Sequence, residues 1–287
     1  KLFCDPIVHE CEIPLKDHPT ESFKAQPTRK ELRLSYEEHG FVMIRNAVKE
    51  MVILNPLKRT VLEHISKVMK QIDTVKRIDP TNKIKFREVM QRDEGRFDID
   101  LSNVPELEDF IEYVSPKGGG ASWIPLVSSI LGGGGGGDTN SDESPSVSSS
   151  SSSQWGINRI GVVLSTGGNK TKEQFWHADG QSHLAANQAL CCFLPLIDNL
   201  TETTGYTSFW SGSHNFPQHD LLAFDVTSKM PRQTFVPGKI GFGDALLYDY
   251  KVIHRGEANR MKDGEIRPIL YIVYGNADFK EENFSCQ

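Results

Sequence analysis

The chain has 287 residues, with 32 Lys and Arg against 38 Asp and Glu, so its formal net charge is −6 at pH 7. That balance argues against a nucleic-acid partner, because nucleic-acid-binding surfaces normally carry a basic stripe. A membrane-spanning helix needs roughly 20 apolar residues, and the longest wholly apolar run, Ala189–Ile197, is far shorter. We therefore expect no membrane span, and the sequence leaves the oligomeric state open.

Cysteine usage favours a reducing location. An odd number of cysteines cannot pair completely, and no C-x-x-C motif signals a zinc or redox site. The cysteines are Cys4, Cys11, Cys191, Cys192 and Cys286. No signal-peptide pattern is visible in this sequence, so a cytoplasmic or other reducing, soluble compartment is the expectation.

The N-terminal part predicts an arm followed by a helical flank. Residues 1–34 are polar and rich in proline, which favours an extended arm. Residues 35–131 carry strand and helix patterns, with apolar residues at helical spacing in the longest element. The expected elements are a short helix at 35–40, a buried strand at Phe41–Ile44, an amphipathic helix over Leu57–Ile72, and helices at 105–114 and 123–131.

Residues 132–153, GGGGGGDTNSDESPSVSSSSSS, form a low-complexity insert. Glycine and serine tracts cannot bury a core, so we expect a flexible surface loop. A partner-binding or phosphorylated segment is the alternative.

Residues 154–287 predict a β-rich core. Short apolar runs alternate with Gly-, Pro- and Asn-containing turns, and no regular helix interrupts them. This pattern is typical of a jelly-roll barrel, so we expect one mainly β domain over residues 1–287 with the N-terminal helices outside it. The expected strands are Asn158–Ser165, Gln188–Ile197, Tyr206–Trp210, Ile240–Tyr250, Val252–His254 and Ile269–Tyr274.

The segment Phe175-Trp-His-Ala-Asp179 is the most informative one for chemistry. His177 and Asp179 are two residues apart, so on a strand their side chains project from the same face. His254 is a candidate third ligand. Two imidazoles and one carboxylate on one face of Fe(II) leave positions open for a co-substrate and O₂. The alternative is that these histidines are ordinary polar residues, since the chain contains nine of them.

Arg267 is a candidate anion-binding residue. It precedes a strand that is apolar on both faces, where a charged side chain needs a partner. Guanidinium binds carboxylate through two parallel hydrogen bonds, so a dicarboxylate co-substrate would satisfy it. The alternative is a salt bridge to an acid of the protein.

Together these motifs resemble the phytanoyl-CoA dioxygenase family in order and spacing. The resemblance covers residues 154–284 well and residues 38–44 more loosely. It rests on Trp176-His-x-Asp, the segment 205–214, Gly243-Asp244, His254-Arg-Gly and Arg267-Pro.

The resemblance implies an Fe(II)- and 2-oxoglutarate-dependent oxygenase on a double-stranded β-helix. It assigns iron binding to His177, Asp179 and His254, and the distal carboxylate of 2-oxoglutarate to Arg267. The implied reaction uses O₂, converts 2-oxoglutarate to succinate and CO₂, and abstracts hydrogen from an unactivated C–H bond of a small molecule. Hydroxylation, desaturation and oxidative cyclisation, as in some relatives in specialised metabolism, all remain open.

Asp179 argues against a halogenase, in which a small residue opens a halide position on the iron. Two other functions remain as alternatives. One is a cupin-like metal enzyme that does not use 2-oxoglutarate, and the other is a non-catalytic ligand-binding barrel.

Further site residues follow from neighbouring patterns. Arg267-Pro-Ile lacks the Arg-x-Ser pattern of other oxoglutarate oxygenases, so a second polar anchor is expected elsewhere, with Gln174 and Asn158 as candidates. Loops at 76–100 and 214–238 are expected to line the substrate pocket. The candidate substrate-binding residues, each with a core or polar-loop role as its alternative, are Trp176, His183, Arg159 and Trp210.

Overall fold

A computed structural model describes residues 27–280, apart from 80, 82, 87, 133–154, 169, 181–187 and 216–234. The helices are α1 (Arg29–His39), α2 (Met51–Ile78), α3 (Glu108–Tyr113, after a 3₁₀ turn at Pro105–Leu107) and α4 (Ile124–Leu131). The strands are β1 (Phe41–Ile44), β2 (Lys85–Phe86), β3 (Val89–Asp93), β4 (Arg96–Asp100), β5 (Trp155–Thr166), β6 (Ala189–Pro195), β7 (Thr207–Trp210), β8 (Phe235–Pro237), β9 (Ala245–Asp249), β10 (His254–Gly256) and β11 (Ile266–Asn276).

Two antiparallel sheets build the core. The larger has eight strands in the order β1-β9-β6-β11-β5-β4-β3-β2, and the smaller has three in the order β10-β7-β8. The sheets meet face to face where the Phe209 ring of β7 lies 4.9 Å from Phe41 and 5.4 Å from Tyr248 of the larger sheet. The larger sheet is not closed into a barrel, but the arrangement confirms the expected jelly-roll fold class.

Strand β11 shows how the larger sheet is buried on both sides. Leu270, Ile272 and Tyr274 belong to the hydrophobic cluster beneath the helices. The alternate residues, from Ile269 to Val273, belong to the cluster between the two sheets. A strand covered on both faces must be apolar at every position, which explains the unbroken apolar run. The N-terminal helices therefore pack outside the sheets, as expected.

Helix α1 begins earlier than the sequence pattern predicts. The Thr28 hydroxyl accepts a hydrogen bond from the Glu31 amide at 3.3 Å, and the Glu31 carboxylate accepts one from the Thr28 amide at 2.7 Å. This capping box starts the helix at Arg29, so residues 29–34 are helical and not part of an extended arm. Residues 1–26 lie outside the described residues. The helix ends as predicted at Gly40, whose φ is +82°.

The segment 76–100, expected as loop, contains strands β2 to β4. Phe97 and Ile99 of β4 enter the core under the helices, while Arg96 and Asp98 line a cavity on the other face of the sheet. Strand β4 is hard to recognise from hydrophobicity, because the face that it turns toward the cavity is buried but carries charged residues.

Other expected boundaries change less. The expected strand Ile240–Tyr250 is shorter, at Ala245–Asp249, and His254 begins β10. The insert from residue 133 onward, and most of the expected loop 214–238, lie outside the described part of the chain. Among the described helices, none combines the length and apolar character needed to cross a membrane.

Candidate metal and carboxylate site

The structure brings His177, Asp179 and His254 together at the edge where the two sheets meet. An isolated antiparallel bridge pairs His177 with His254, with backbone N–O distances of 3.0 and 2.8 Å. The Asp179 carboxylate oxygens lie 4.0 Å from His177 Nε2 and 3.7 Å from His254 Nε2. The three side chains therefore converge on one point although their positions span much of the chain.

Both histidines direct Nε2 toward this point. His177 Nδ1 lies 2.8 Å from the carbonyl of Phe175, and His254 Nδ1 lies 3.0 Å from the carbonyl of Val252. Because a carbonyl only accepts, Nδ1 must donate in each ring, which leaves the lone pair on Nε2 for a ligand. Burial lowers the pKa of His254 to about 4, so its imidazole is neutral near pH 7.

The donor set fits a divalent transition metal. One ligand atom from each of the three residues lies within 4.8 Å of the others. Imidazole nitrogens and one carboxylate form the donor set of non-haem Fe(II) sites. We find that the residues present fit this ion.

A cavity of about 400 Å³ adjoins the three residues. Its lining includes Arg92 of β3, which pairs with Asp98, and two fully buried arginines from different strands, Arg96 of β4 and Arg267 of β11. Both lie opposite Ser165 of β5, which is the central strand of the three. Cross-strand partners point to the same face of a sheet, so the two guanidinium groups share one row and enter the same cavity.

Both arginines are almost fully buried, with 1% of their surface exposed. The Nε atom of each is buried and has no hydrogen-bond partner. Arg96 Nη2 donates to the carbonyl oxygens of Lys172, Gly256 and Glu257 at 3.0, 3.4 and 3.3 Å. Among the described residues, the Thr204 carbonyl accepts a hydrogen bond from Arg267 Nη1 at 3.5 Å.

Electrostatics in this row favours an anion. Burial, reinforced by the nearby charge of Arg96, lowers the pKa of Arg267 to about 9. Two buried like charges destabilise each other, and a carboxylate between them would remove that cost. Among the described residues, neither arginine forms a salt bridge with a protein acid, so the alternative interpretation of Arg267 is not supported.

Two glycines leave room for the guanidinium groups. A Cβ at Gly205 would lie 2.5 Å from Arg267 Nη1, and one at Gly256 would lie 2.6 Å from Arg96 Nη1. Gly205 also has a φ of +78°, which is unfavourable for other residues. The backbone therefore makes a cradle that any larger residue would fill.

The two candidate second anchors, Gln174 and Asn158, lie differently with respect to the cavity. Gln174 lines the cavity, and its Oε1 accepts a hydrogen bond from the Gly256 amide at 3.0 Å. Asn158 is exposed on β5 and is not among the residues that line the cavity. The register between β5 and β11 shifts beside it, pairing Arg159 with Val273 and Ile157 with Tyr274. This bulge takes Asn158 out of the regular alternation.

Three of the candidate substrate-binding residues, Trp176, Trp210 and Arg159, are not among the residues that line the described cavity. Trp176 and Trp210 pack together with Ile253, behind the bridge between the two histidines. Arg159 forms an ion pair with Asp100 at 2.7 Å. His183 lies outside the described residues.

Sequence reasoning missed four residues that line this cavity. Arg96 and Asp98 lie in the segment expected as loop, and Tyr248 and Tyr271 lie in strands expected as plain core. The Asp98 carboxylate pairs with Arg92, while burial raises its pKa. The alternation Arg-Phe-Asp-Ile-Asp at 96–100 was the signal available, because it separates two apolar residues from three charged ones.

Comparison with known proteins agrees with this site. Residues 153–268 match the family model of phytanoyl-CoA dioxygenase (PhyH). A curated relative, "Dioxygenase aneA" of Aspergillus aculeatus (strain ATCC 16872 / CBS 172.66 / WB 5094), is 34% identical over 99 residues. The match covers 34% of this chain and spans about a third, 32%, of that protein.

Two solved structures share the fold. The non-heme alpha ketoglutarate dependent epimerase SnoN from nogalamycin biosynthesis has a TM-score of 0.57 at 16% identity, covering 87% of this chain and 81% of its own. EctD from S. alaskensis with bound Fe has a TM-score of 0.57 at 14% identity, covering 92% and 82%. At such identities the likeness establishes the fold alone. The matched residues 153–268 include the three converging residues and Arg267, so this part of the chain is similar to the phytanoyl-CoA dioxygenase family.

Proposed function

We propose that the protein is an Fe(II)- and 2-oxoglutarate-dependent oxygenase that acts on a small molecule. One observation carries the proposal: two buried arginines with unpartnered Nε atoms enter the same cavity as a His-Asp-His cluster. A metal cluster alone would suit many enzymes. A dicarboxylate site beside it is specific to a co-substrate such as 2-oxoglutarate.

The residues divide into two groups by role. His177, Asp179 and His254 hold Fe(II) through two neutral imidazoles and one carboxylate. Arg267 holds the distal carboxylate of 2-oxoglutarate, with Arg96 as the second anchor that the sequence left unassigned. Gln174 fixes the Gly256 backbone beside Arg96, so we assign it a supporting role at the co-substrate site.

Bound iron and 2-oxoglutarate would supply the oxidising chemistry, in which O₂ converts 2-oxoglutarate to succinate and CO₂ while a substrate C–H bond is broken. The protein's part is placement. Arg96 and Arg267 fix one end of the co-substrate at the buried end of the cavity. Asp179 supplies the carboxylate that a halogenase lacks. The same arrangement serves hydroxylation, desaturation and oxidative cyclisation.

The test begins with binding and needs no knowledge of the substrate. Fe(II) is added to the metal-free protein without oxygen, and 2-oxoglutarate is titrated while the visible charge-transfer band is recorded. Wild type should develop the band. The variant His177→Ala should bind no iron, whereas Arg267→Met should bind iron and require far more 2-oxoglutarate. Reducing buffer suits the expected compartment, and Cys191 and Cys192 form no disulfide among the described residues.

Other outcomes would favour the alternative functions. If wild type bound iron but formed no band with 2-oxoglutarate, a cupin-like metal enzyme without this co-substrate would be favoured. If wild type bound no iron, formed no band and released no succinate with any candidate substrate, a ligand-binding barrel would be favoured. Equal 2-oxoglutarate affinity in wild type and Arg267→Met would show that Arg267 is not the carboxylate anchor.

A further inference from the structure

Asp179, the candidate carboxylate ligand, lies outside the regular strands. The residue follows the bridge at His177 and lies in a bend outside the named strands. A carboxylate on such a segment can rotate about its side-chain bonds. Binding a metal would then cost conformational entropy, unless another group already holds the side chain.

Tyr248 makes a supporting contact with the Asp179 carboxylate. Its phenol oxygen donates a hydrogen bond to Asp179 Oδ2 at 2.7 Å. This Oδ2 is also the oxygen that lies 3.7 Å from His254 Nε2. The phenol therefore contacts the carboxylate at the point where the three candidate ligands converge.

Tyr248 itself is rigidly held. It lies in β9, paired with Phe41 of β1 and Cys191 of β6, and it is 1% exposed. Its ring packs 5.0 Å from Phe193 and 4.9 Å from His254, measured between centroids.

We infer that Tyr248 is a positioning residue for the metal-binding carboxylate. It holds Asp179 in one orientation before the metal arrives and so increases metal affinity. The inference rests on the proposed function, because it assumes that Asp179 is an iron ligand. A purely structural role is the competing explanation: a buried tyrosine hydroxyl needs some acceptor, and Asp179 would then be merely the nearest one.

The variant Tyr248→Phe removes the hydroxyl and keeps the ring. Tyr274→Phe is the matched control, because Tyr274 is also fully buried in the larger sheet. Its hydroxyl accepts from Trp123 Nε1 and donates to the Val114 carbonyl, both at 3.0 Å, on the helix side of the sheet. Each variant loses one buried hydroxyl group, but only the hydroxyl of Tyr248 contacts a candidate metal ligand, Asp179.

The measurement is Co(II) binding to the metal-free full chain, by calorimetry and by the visible spectrum of the bound ion. Supporting partners of metal ligands typically contribute 10- to 100-fold to affinity. We expect Tyr248→Phe to weaken Co(II) binding about 10-fold or more and to alter the spectrum. Tyr274→Phe should lower the melting temperature without changing either. In an Asp179→Ala background, Tyr248→Phe should have no further effect on binding.

The outcomes separate this inference from the proposed function. Wild type that fails to bind Co(II) would contradict the proposed function itself. If wild type binds and Tyr248→Phe matches it in affinity and spectrum, the positioning role is wrong and the function stands. Equal weakening in both Phe variants would also overturn the inference. Should Tyr248→Phe not fold, 4-aminophenylalanine at position 248 keeps the shape with a weaker donor, and intermediate affinity is expected; wild-type affinity and spectrum would reject the role.

Discussion

Replacing Arg96 by Met tests the second carboxylate anchor. Met is a flexible apolar side chain that can occupy much of the same space without a charge. The change removes the Arg96 guanidinium group from the cavity and leaves Arg267 and the three candidate metal ligands intact. It also removes the hydrogen bonds to the Lys172, Gly256 and Glu257 carbonyls.

The expected effect on co-substrate binding follows from one lost charged contact. A hydrogen bond to a charged group contributes about 1.5 to 3 kcal/mol, which corresponds to about 10- to 150-fold in Kd. At a 2-oxoglutarate concentration 100 times the wild-type Kd, ligand stabilises the native state by about 2.7 kcal/mol. A 30-fold weaker variant retains about 0.9 kcal/mol of that stabilisation at the same concentration.

The ligand-free protein should respond differently. Loss of the carbonyl hydrogen bonds destabilises the variant, whereas removal of a buried charge beside Arg267 stabilises it. The two effects oppose each other. We therefore expect the melting temperature without 2-oxoglutarate to change less than the shift that 2-oxoglutarate induces.

The assay is thermal unfolding of the Mn(II)-loaded protein over a 2-oxoglutarate titration, with Kd confirmed by calorimetry. Arg159→Met is the matched control, because Arg159 is also a mostly buried arginine of the larger sheet but pairs with Asp100 at 2.7 Å. It should lose stability while keeping the wild-type Kd for 2-oxoglutarate. A wild-type Kd in Arg96→Met would refute the second anchor, and equal weakening in both variants would show a general effect of lost charge.

Two further predictions concern backbone features. Gly205→Ala should lower the free energy of unfolding by about 1 to 2 kcal/mol, because the residue has a left-handed backbone. It should also weaken 2-oxoglutarate binding in calorimetry, because the new Cβ would lie 2.5 Å from Arg267 Nη1. Gly264→Ala is the control, because Gly264 has a similar φ of +84° but no atom lies within 4 Å of a Cβ built there. This variant should lose comparable stability and keep the wild-type affinity for 2-oxoglutarate. Equal weakening of 2-oxoglutarate binding in both variants would contradict the steric explanation. Thr28→Ala should lower the free energy of unfolding by about 0.5 to 2 kcal/mol in urea titration by removing the cap of α1, with unchanged 2-oxoglutarate affinity; an unchanged midpoint would show that the cap contributes nothing.

The pairing of His177 with Asp179 was predictable because it depends on short-range geometry, whereas His254 lies 75 residues after Asp179. His177 and Asp179 are two residues apart, and a following strand was expected to deliver His254. The structure supplies the missing detail as a bridge between the two histidine backbones. Family resemblance added the role of Arg267, which local spacing alone did not determine.

Arg96 was not predictable in the same way. Its position opposite Ser165, and thus in the row of Arg267, is a property of strand register. Register is fixed by long-range pairing and core alternation, and the pairing strand was itself mistaken for loop. Asn158 illustrates the converse case. It was proposed because it lies on a neighbouring strand, but it is exposed there and is not among the residues that line the cavity.

The two buried arginines, Arg96 and Arg267, should also lower the stability of the protein when no anion lies between them. A buried charge is normally retained only with a partner, and replacement by apolar residues is often neutral or stabilising. Here two guanidinium groups share a row, each with a buried Nε that no group of the described residues satisfies. Glycines at 205 and 256 keep space for them at the expense of backbone entropy. A bound carboxylate would relieve this destabilisation, so under the proposed function the same residues that reduce stability would provide the specificity for a dicarboxylate over a neutral ligand.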